Sequence, residues 1–247
     1  MIALLHGYLL EGSGSNLWTR SIIQSLCNNG ETVHLICQEN HPDLYDFIAE
    51  AIIYHSNGNR ETILNRETVY PGKCIMHKPK LGNTLPVYVM DKYEEFSDPR
   101  PMINLNDTEI EVYLQINIKV LTQIVDENQV KVIHANHAVL MSVVAQHVAK
   151  KRKIPYAIMP HGSAIEYAVK KDKRFFKFAE QSFDDAHRIY VIGDEIRINE
   201  LEDFNDIDFW VNTACPRLED RNIISLEDLC WQRRLLLLTS ARNAMFV

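Results

Sequence analysis

Three short segments carry the side chains best suited to chemistry. The first is Gly12-Ser13-Gly14-Ser15-Asn16. Its small residues let a backbone approach a ligand closely, and unpaired N–H groups at a following helix start favour a phosphate; a plain tight turn is the alternative. A dinucleotide fingerprint needs a third glycine where Leu17 stands, although Glu39 has a suitable spacing for a ribose contact. The second is His134-Ala135-Asn136-His137, whose His-x-x-His pair has no third ligand nearby, so no metal site is expected. Loop or core histidines holding hydrogen bonds would give the same pattern.

The third segment is Pro160-His161-Gly162-Ser163. Gly162 permits an unusual backbone angle that would expose the His161 imidazole and the amides of Gly162 and Ser163. A neutral imidazole can hydrogen-bond a hydroxyl, and a protonated one can pair with a phosphate. No G-x-S-x-G elbow accompanies it, which speaks against a hydrolase. Glu166 fits a solvated helix position.

These segments need a frame that brings them to one edge. Ile2 to Tyr8 reads as a strand, Leu17 to Leu26 as a helix ending at Asn28-Asn29-Gly30, and Val33 to Cys37 as a second strand. That is one βαβ unit, with parallel strands. Ile52 to Tyr54, Ile75 to His77 and Val87 to Met90 are candidate strands, and Ser97 to Pro101 is expected to be a loop because of its prolines. Asp107 to Val125 has helical spacing, with Asp107 as N-cap. Alternation then resumes: strand Val130 to Ala135, helix Val139 to Lys150, strand Tyr156 to Met159, helix Asp172 to Phe183, strand Arg188 to Ile192. The expected fold is α/β, a Rossmann-like, mostly parallel sheet with helices on both faces over residues 1–197, followed by an irregular tail over 198–247. Ligands of such a sheet bind at the carboxyl ends of its strands, where all three segments fall.

Composition bounds the rest. The chain has 247 residues, 46% hydrophobic and 24% charged, with a net charge of −7. Disordered, collagenous and membrane-bundle classes are excluded, and no global positive field invites nucleic acid. No basic leader precedes the first strand, and no apolar window is long enough to span a bilayer, so the expectation is a cytoplasmic protein with at most peripheral membrane contact. Five cysteines (Cys27, Cys37, Cys74, Cys215, Cys230) without a C-x-x-C pair fit reduced thiols.

The opening strand with its Gly-Ser-Gly loop, the helix Asn16 to Cys27 with its NNGETVHLIC continuation, the VIHANH segment, and IPYAIMPHGS followed by RIYVIGDE resemble the N-terminal domain of a family 4 glycosyltransferase of GT-B type. The resemblance covers about residues 1–197. It implies retaining, metal-independent sugar transfer from a nucleotide-sugar donor to a sugar or lipid acceptor, with no further cofactor. It places His161 at the catalytic histidine position near the transferred sugar. Gly12, Ser13, Gly14 and Asn16 would lie against the donor diphosphate or the acceptor, and His137, Gly162 and Ser163 would line the same cleft. The family's second Rossmann-like domain, with its E-x7-E element, has no counterpart after residue 197, so a second chain supplying it is an implied partner. Around Cys215 the tail resembles a stretch of archaeal diphthamide-synthesis proteins, which implies a chimeric chain as an alternative. A non-catalytic binding module and an NAD-type oxidoreductase are the other readings.

Overall fold

The structure is a computed structural model that describes residues 1–90, 93 and 95–190. The end of the strand expected over Arg188 to Ile192, the boundary at 197 and the tail with Cys215 lie outside the described residues.

Ile2–Leu5 forms β1, Gly14–Asn28 α1 and Thr32–Ile36 β2. After these come strands β3 (Ile48–Tyr54), β4 (Arg60–Asn65), β5 (Lys73–Pro79), β6 (Thr84–Val87) and β7 (Asp98–Pro101). Asp107–Glu127 is α2, Val132–Asn136 β8, Met141–Arg152 α3 and Tyr156–Met159 β9. A single turn, α4 (Gly162–Ala164), runs into a π-helical turn over Ile165–Val169, then α5 (Lys173–Asp184) and β10 (Arg188–Ile189). The main sheet has the order β10-β9-β8-β1-β2-β5-β3-β4, parallel throughout except for the antiparallel pair β3–β4. It is the expected Rossmann-like α/β sheet.

Side chains alternate across the sheet, as the two-residue period of a strand requires. Ile2 and Leu4 of β1 face α1 together with Val33, Leu35, Phe47, Ile48 and Met76. Ala3 and Leu5 face the opposite way, with Ile133, Ala135 and Ile158, onto a layer carrying Leu114, Leu121, Val144 and Phe175 from α2, α3 and α5. Strands buried on both faces read as continuous apolar runs, which is why β1, β2, β8 and β9 were recognisable.

Three local expectations are corrected. The N-cap of α2 is Asn106, not Asp107: its side chain accepts from Glu109 N at 3.0 Å while the Glu109 carboxylate takes the Asn106 N–H at 2.9 Å, a complete capping box. Asp107 is the first helical residue and pairs with Arg174 at 2.8 Å. Pro99 and Pro101 belong to a strand, because among the described residues β7 pairs only with β6 and an edge strand can do without those donors. The strand expected over Val87 to Met90 runs earlier, as β6, and Met90 is exposed.

Two glycines fix close approaches. Gly7, at φ +79°, lies where an added Cβ would sit 2.9 Å from Met141 Cε and 3.0 Å from the Tyr113 hydroxyl. Gly72 is tighter still. Its N–H bonds Cys27 O at 2.8 Å, and a Cβ would sit 2.2 Å from the Glu31 carbonyl oxygen.

Candidate functional site

The chain leaves β1 through α1 toward β2 on one side and returns through α2 to β8 on the other. The gap between the carboxyl ends of β1 and β8 is therefore the topological switch point, the usual ligand crevice of an open α/β sheet. The loops after β1, β8 and β9 converge there. They bring together His6, Asn16, Thr19, His134, Asn136, His137 and His161, all buried.

Their inner layer is a directed hydrogen-bond network. His6 Nε2 lies 3.0 Å from both Leu9 O and Asn16 Oδ1, two acceptors, so Nε2 carries the proton and Nδ1 accepts. Asn136 Nδ2 donates to Thr19 Oγ1 at 2.6 Å and to His6 Nδ1 at 3.2 Å. Thr19 passes its own proton to Ser15 O at 2.7 Å. On the other side His134 Nε2 donates to Asn136 Oδ1 at 3.1 Å. Thus α1 is tied to the ends of β1 and β8 by polar groups that occur nowhere near each other in sequence.

Asn136→Ala should remove the acceptor of His134 and the donor of His6 and Thr19 at once. Buried groups left unpaired cost about 1–3 kcal/mol each, so a loss of roughly 2–4 kcal/mol in urea unfolding is expected. A loss below about 0.5 kcal/mol would mean that the network is incidental to stability.

The outer layer behaves differently. Both ring nitrogens of His137, Nδ1 of His134 and Nε2 of His161 are buried and have no hydrogen-bond partner. The His137 and His161 rings lie 4.7 Å apart, and His137 also meets Tyr88 at 4.7 Å and Tyr8 at 5.2 Å. Trp18 stacks on His134 at 5.7 Å and meets His161 edge-on at the same distance. Burial holds the His6 and His134 imidazoles down to about 4 and His161 to about 3, and drives His137 lower than its ordinary value as well. The neighbouring histidines push His137 and His161 the same way. All four rings are neutral at pH 7.

Neutral rings suit hydroxyls, not phosphates. Each offers one donor and one acceptor, the pairing that an alcohol presents in return. Native interiors rarely leave buried polar atoms unpaired, so four imidazole nitrogens without partners in one place are unusual.

Backbone strain coincides with them. His137 has φ +73°, in the left-handed region, although it carries a full side chain. Three residues on, Leu140 has φ 59° and ψ −59°, with Met141 N bonded back to Val139 O at 3.0 Å, a strained γ-turn in a fully buried leucine. Such outliers cost on the order of 1–3 kcal/mol each and gather at functional sites.

The remaining candidates fall around this core. Gly12, at φ +95°, is exposed, with open space where a Cβ would lie. Ser13 caps α1, its Oγ accepting from Asn16 N at 3.4 Å, and Gly14 is the first helical residue. Asn16 itself is committed to the protein: its amide group donates to Glu11 O, and its oxygen accepts from His6. Gly162 and Ser163 are half-buried at the start of α4, and Glu166 is exposed, paired with Lys170 at 2.5 Å. The Glu39 carboxylate is occupied by Leu10 N, Tyr45 OH, Asn40 N and His41 N at 2.9–3.1 Å, so it organises its own loop and offers nothing to a ribose. Among the described residues no three His, Cys, Asp or Glu side chains are grouped to hold a metal ion. His6, Thr19 and Tyr88 were not singled out from the sequence; the one signal was a histidine interrupting the apolar run of β1.

No protein-family model matches the chain, and no curated protein matches it, the stretch around Cys215 included. Among solved structures, it is similar to sucrose-phosphate synthase from Thermosynechococcus elongatus at 13% identity and a TM-score of 0.46, covering 86% of this chain and 47% of that one. It is similar to UDP-GlcNAc 2-epimerase from Neisseria meningitidis, bound to UDP-GlcNAc, at 11% identity and 0.45, covering 86% and 46%. A third, described as a cell surface hydrolase from Lactobacillus plantarum WCFS1, gives 9% identity and 0.42, covering 86% and 80%. The chain spans about half the length of the first two. The α/β fold of the described residues is established by their own strand order and register.

Proposed function

We propose that this chain is the acceptor-side half of a nucleotide-sugar-dependent glycosyltransferase of GT-B type. The observation that carries the reading is the group of neutral, unpartnered imidazoles at the switch point, beside the Gly12-Ser13-Gly14 turn. A sugar hydroxyl can satisfy a ring nitrogen of His137 or His161 as donor or acceptor, without any charge to screen. His161 is the catalytic candidate, contacting the transferred sugar, and His137, Gly162 and Ser163 line the same cleft. Gly12, Ser13 and Gly14 present backbone to the approaching diphosphate, while Asn16 supports the turn from beneath.

In the transfer, the bond between the anomeric carbon and the diphosphate oxygen breaks, an acceptor oxygen bonds that carbon, and the acceptor proton passes to the departing diphosphate oxygen. The departing diphosphate needs electrostatic stabilisation, and the four imidazoles described above are neutral at pH 7. That role falls to a second Rossmann-like domain, supplied by a further segment or a second chain. An oxidoreductase reading is not retained, since Leu17 stands at the third glycine position and Glu39 is already saturated.

The test is isotope-detected transfer or hydrolysis of UDP- and GDP-sugars, with calorimetry alongside. Nucleotide-sugar or acceptor binding is expected, and any turnover should fall at least about 100-fold in His161→Ala, the scale of one lost transition-state hydrogen bond. One observation favours a second reading: His137 and His161 are only 1% and 7% exposed. If neither turnover nor binding of sugar or nucleotide appears, the chain is a non-catalytic module whose histidines serve the core.

A further inference from the structure

The stretch after the His161 loop is strongly basic in an acidic chain. Between Tyr167 and Lys177 it holds Lys170, Lys171, Lys173, Arg174 and Lys177 against Asp172 alone, a net of +4 within a chain of −7. Arg174 is consumed internally. It bonds Asp172 and Asp107 and caps the carbonyls of Ile103 and Leu105, which clamps the first turn of α5 to the start of α2. Lys170 pairs with Glu166. Lys171, Lys173 and Lys177 are exposed.

Aromatic rings are interleaved with these lysines. Tyr167 is 44% and Phe176 40% exposed, and the Lys171 ammonium lies 5.1 Å from the Tyr167 ring centre. On α5, Lys173, Phe176, Lys177 and the acidic Glu180 share the outward side, while Phe175, Ala179 and Phe183 are buried. The π-helical turn Ile165–Val169, which carries Tyr167, packs against α5.

We propose that this basic-aromatic face docks the chain on an anionic lipid bilayer. Lysines attracted to acidic headgroups and rings seated at the headgroup level are the two components of interfacial binding. The rest of the chain carries −11, which opposes a long polyanion wrapping past the patch, whereas a planar membrane meets the patch alone. The inference stands on this surface and does not depend on the glycosyltransferase reading.

The experiment is vesicle flotation with the full chain, comparing pure phosphatidylcholine with vesicles about one-third phosphatidylglycerol. Binding to the anionic vesicles alone is expected, and it should be abolished near ~0.5 M salt. Each lysine contributes roughly fivefold, so Lys171→Gln/Lys173→Gln/Lys177→Gln should weaken binding on the order of 100-fold. Phe176→Ser should weaken it severalfold even at low salt, because ring insertion is not screened. Circular dichroism checks that these surface variants stay folded. No flotation, equal binding by the triple variant, or binding to heparin without binding to vesicles would each overturn the proposal, the last by making the patch a soluble-polyanion site.

Discussion

Between pH 7 and pH 5 the chain is expected to lose a large part of its stability. His6, His34, His77, His134, His137 and His161 are all buried, and burial lowers each below the ordinary imidazole value of 6.5. His6, His34 and His134 sit at about 4 and His161 at about 3. The unfolded chain therefore binds more protons than the folded one in this window, so stability rises with pH. The contribution is fully present above 6.5 and is lost as pH falls toward the folded values. A histidine shifted from 6.5 to about 4 costs ~2 kcal/mol of stability by pH 5. Three or four of these, about 6–8 kcal/mol together, are comparable with the about 5–15 kcal/mol that holds a typical domain. His41 acts in the opposite direction, its hydrogen bond to Glu95 raising it, but it is exposed and weak. Following circular dichroism against pH, with denaturant melts at each step, measures the slope. A midpoint unchanged between pH 7 and pH 5 would refute the buried neutral state of these rings.

The second large effect is expected at Gly72. Its φ is unexceptional, so the constraint is space alone. A Cβ there meets Glu31 O at 2.2 Å and both Glu31 N and Gly30 C at 2.7 Å, all backbone. No rotamer can relieve that, because the turn from α1 into β2 is itself pinned by Gly30 N to Cys27 O and Glu31 N to Leu26 O. Gly72→Ala must push β5 away from this turn, breaking the 2.8 Å bond to Cys27 O and the 3.2 Å bond from Lys73 N to Glu31 O. Overpacking and two lost bonds together predict about 3–4 kcal/mol of destabilisation. Gly12→Ala is the matched control, since open space surrounds that Cβ. Its own positive φ limits the cost to ~1 kcal/mol. Equal melting temperatures for the two variants would contradict the packing argument.

The frame was legible where burial imposes a period. Ile2 to Leu5 and Tyr156 to Met159 were readable because both faces are buried, and the helix ending at Asn29-Gly30 by its one buried stripe of Trp18, Ile22, Ile23 and Leu26. Strand β4 was missed for the opposite reason: at the sheet edge Arg60, Glu61, Thr62 and Asn65 face water, so no alternation betrays a strand. The proline argument at residues 99 and 101 failed because it ignored edge strands. The site was half legible. His137 and His161 stood out by type, but nothing local links His6 to Asn136, 130 positions away, or reveals that Asn16 and Glu39 are already bonded.

The strained turn after β8 has a kinetic consequence. Met141 N–H is buried, yet its partner is the carbonyl only two residues back, held by a leucine in a conformation it would leave if released. Opening this turn relieves strain instead of creating it, so the barrier to local unfolding is lowered here despite the depth of burial. Amide hydrogens of residues 138–141 should exchange with solvent well before those of Ile133 and His134, inside β8. Breathing of that kind is the route by which rings only 1% and 7% exposed could meet a ligand.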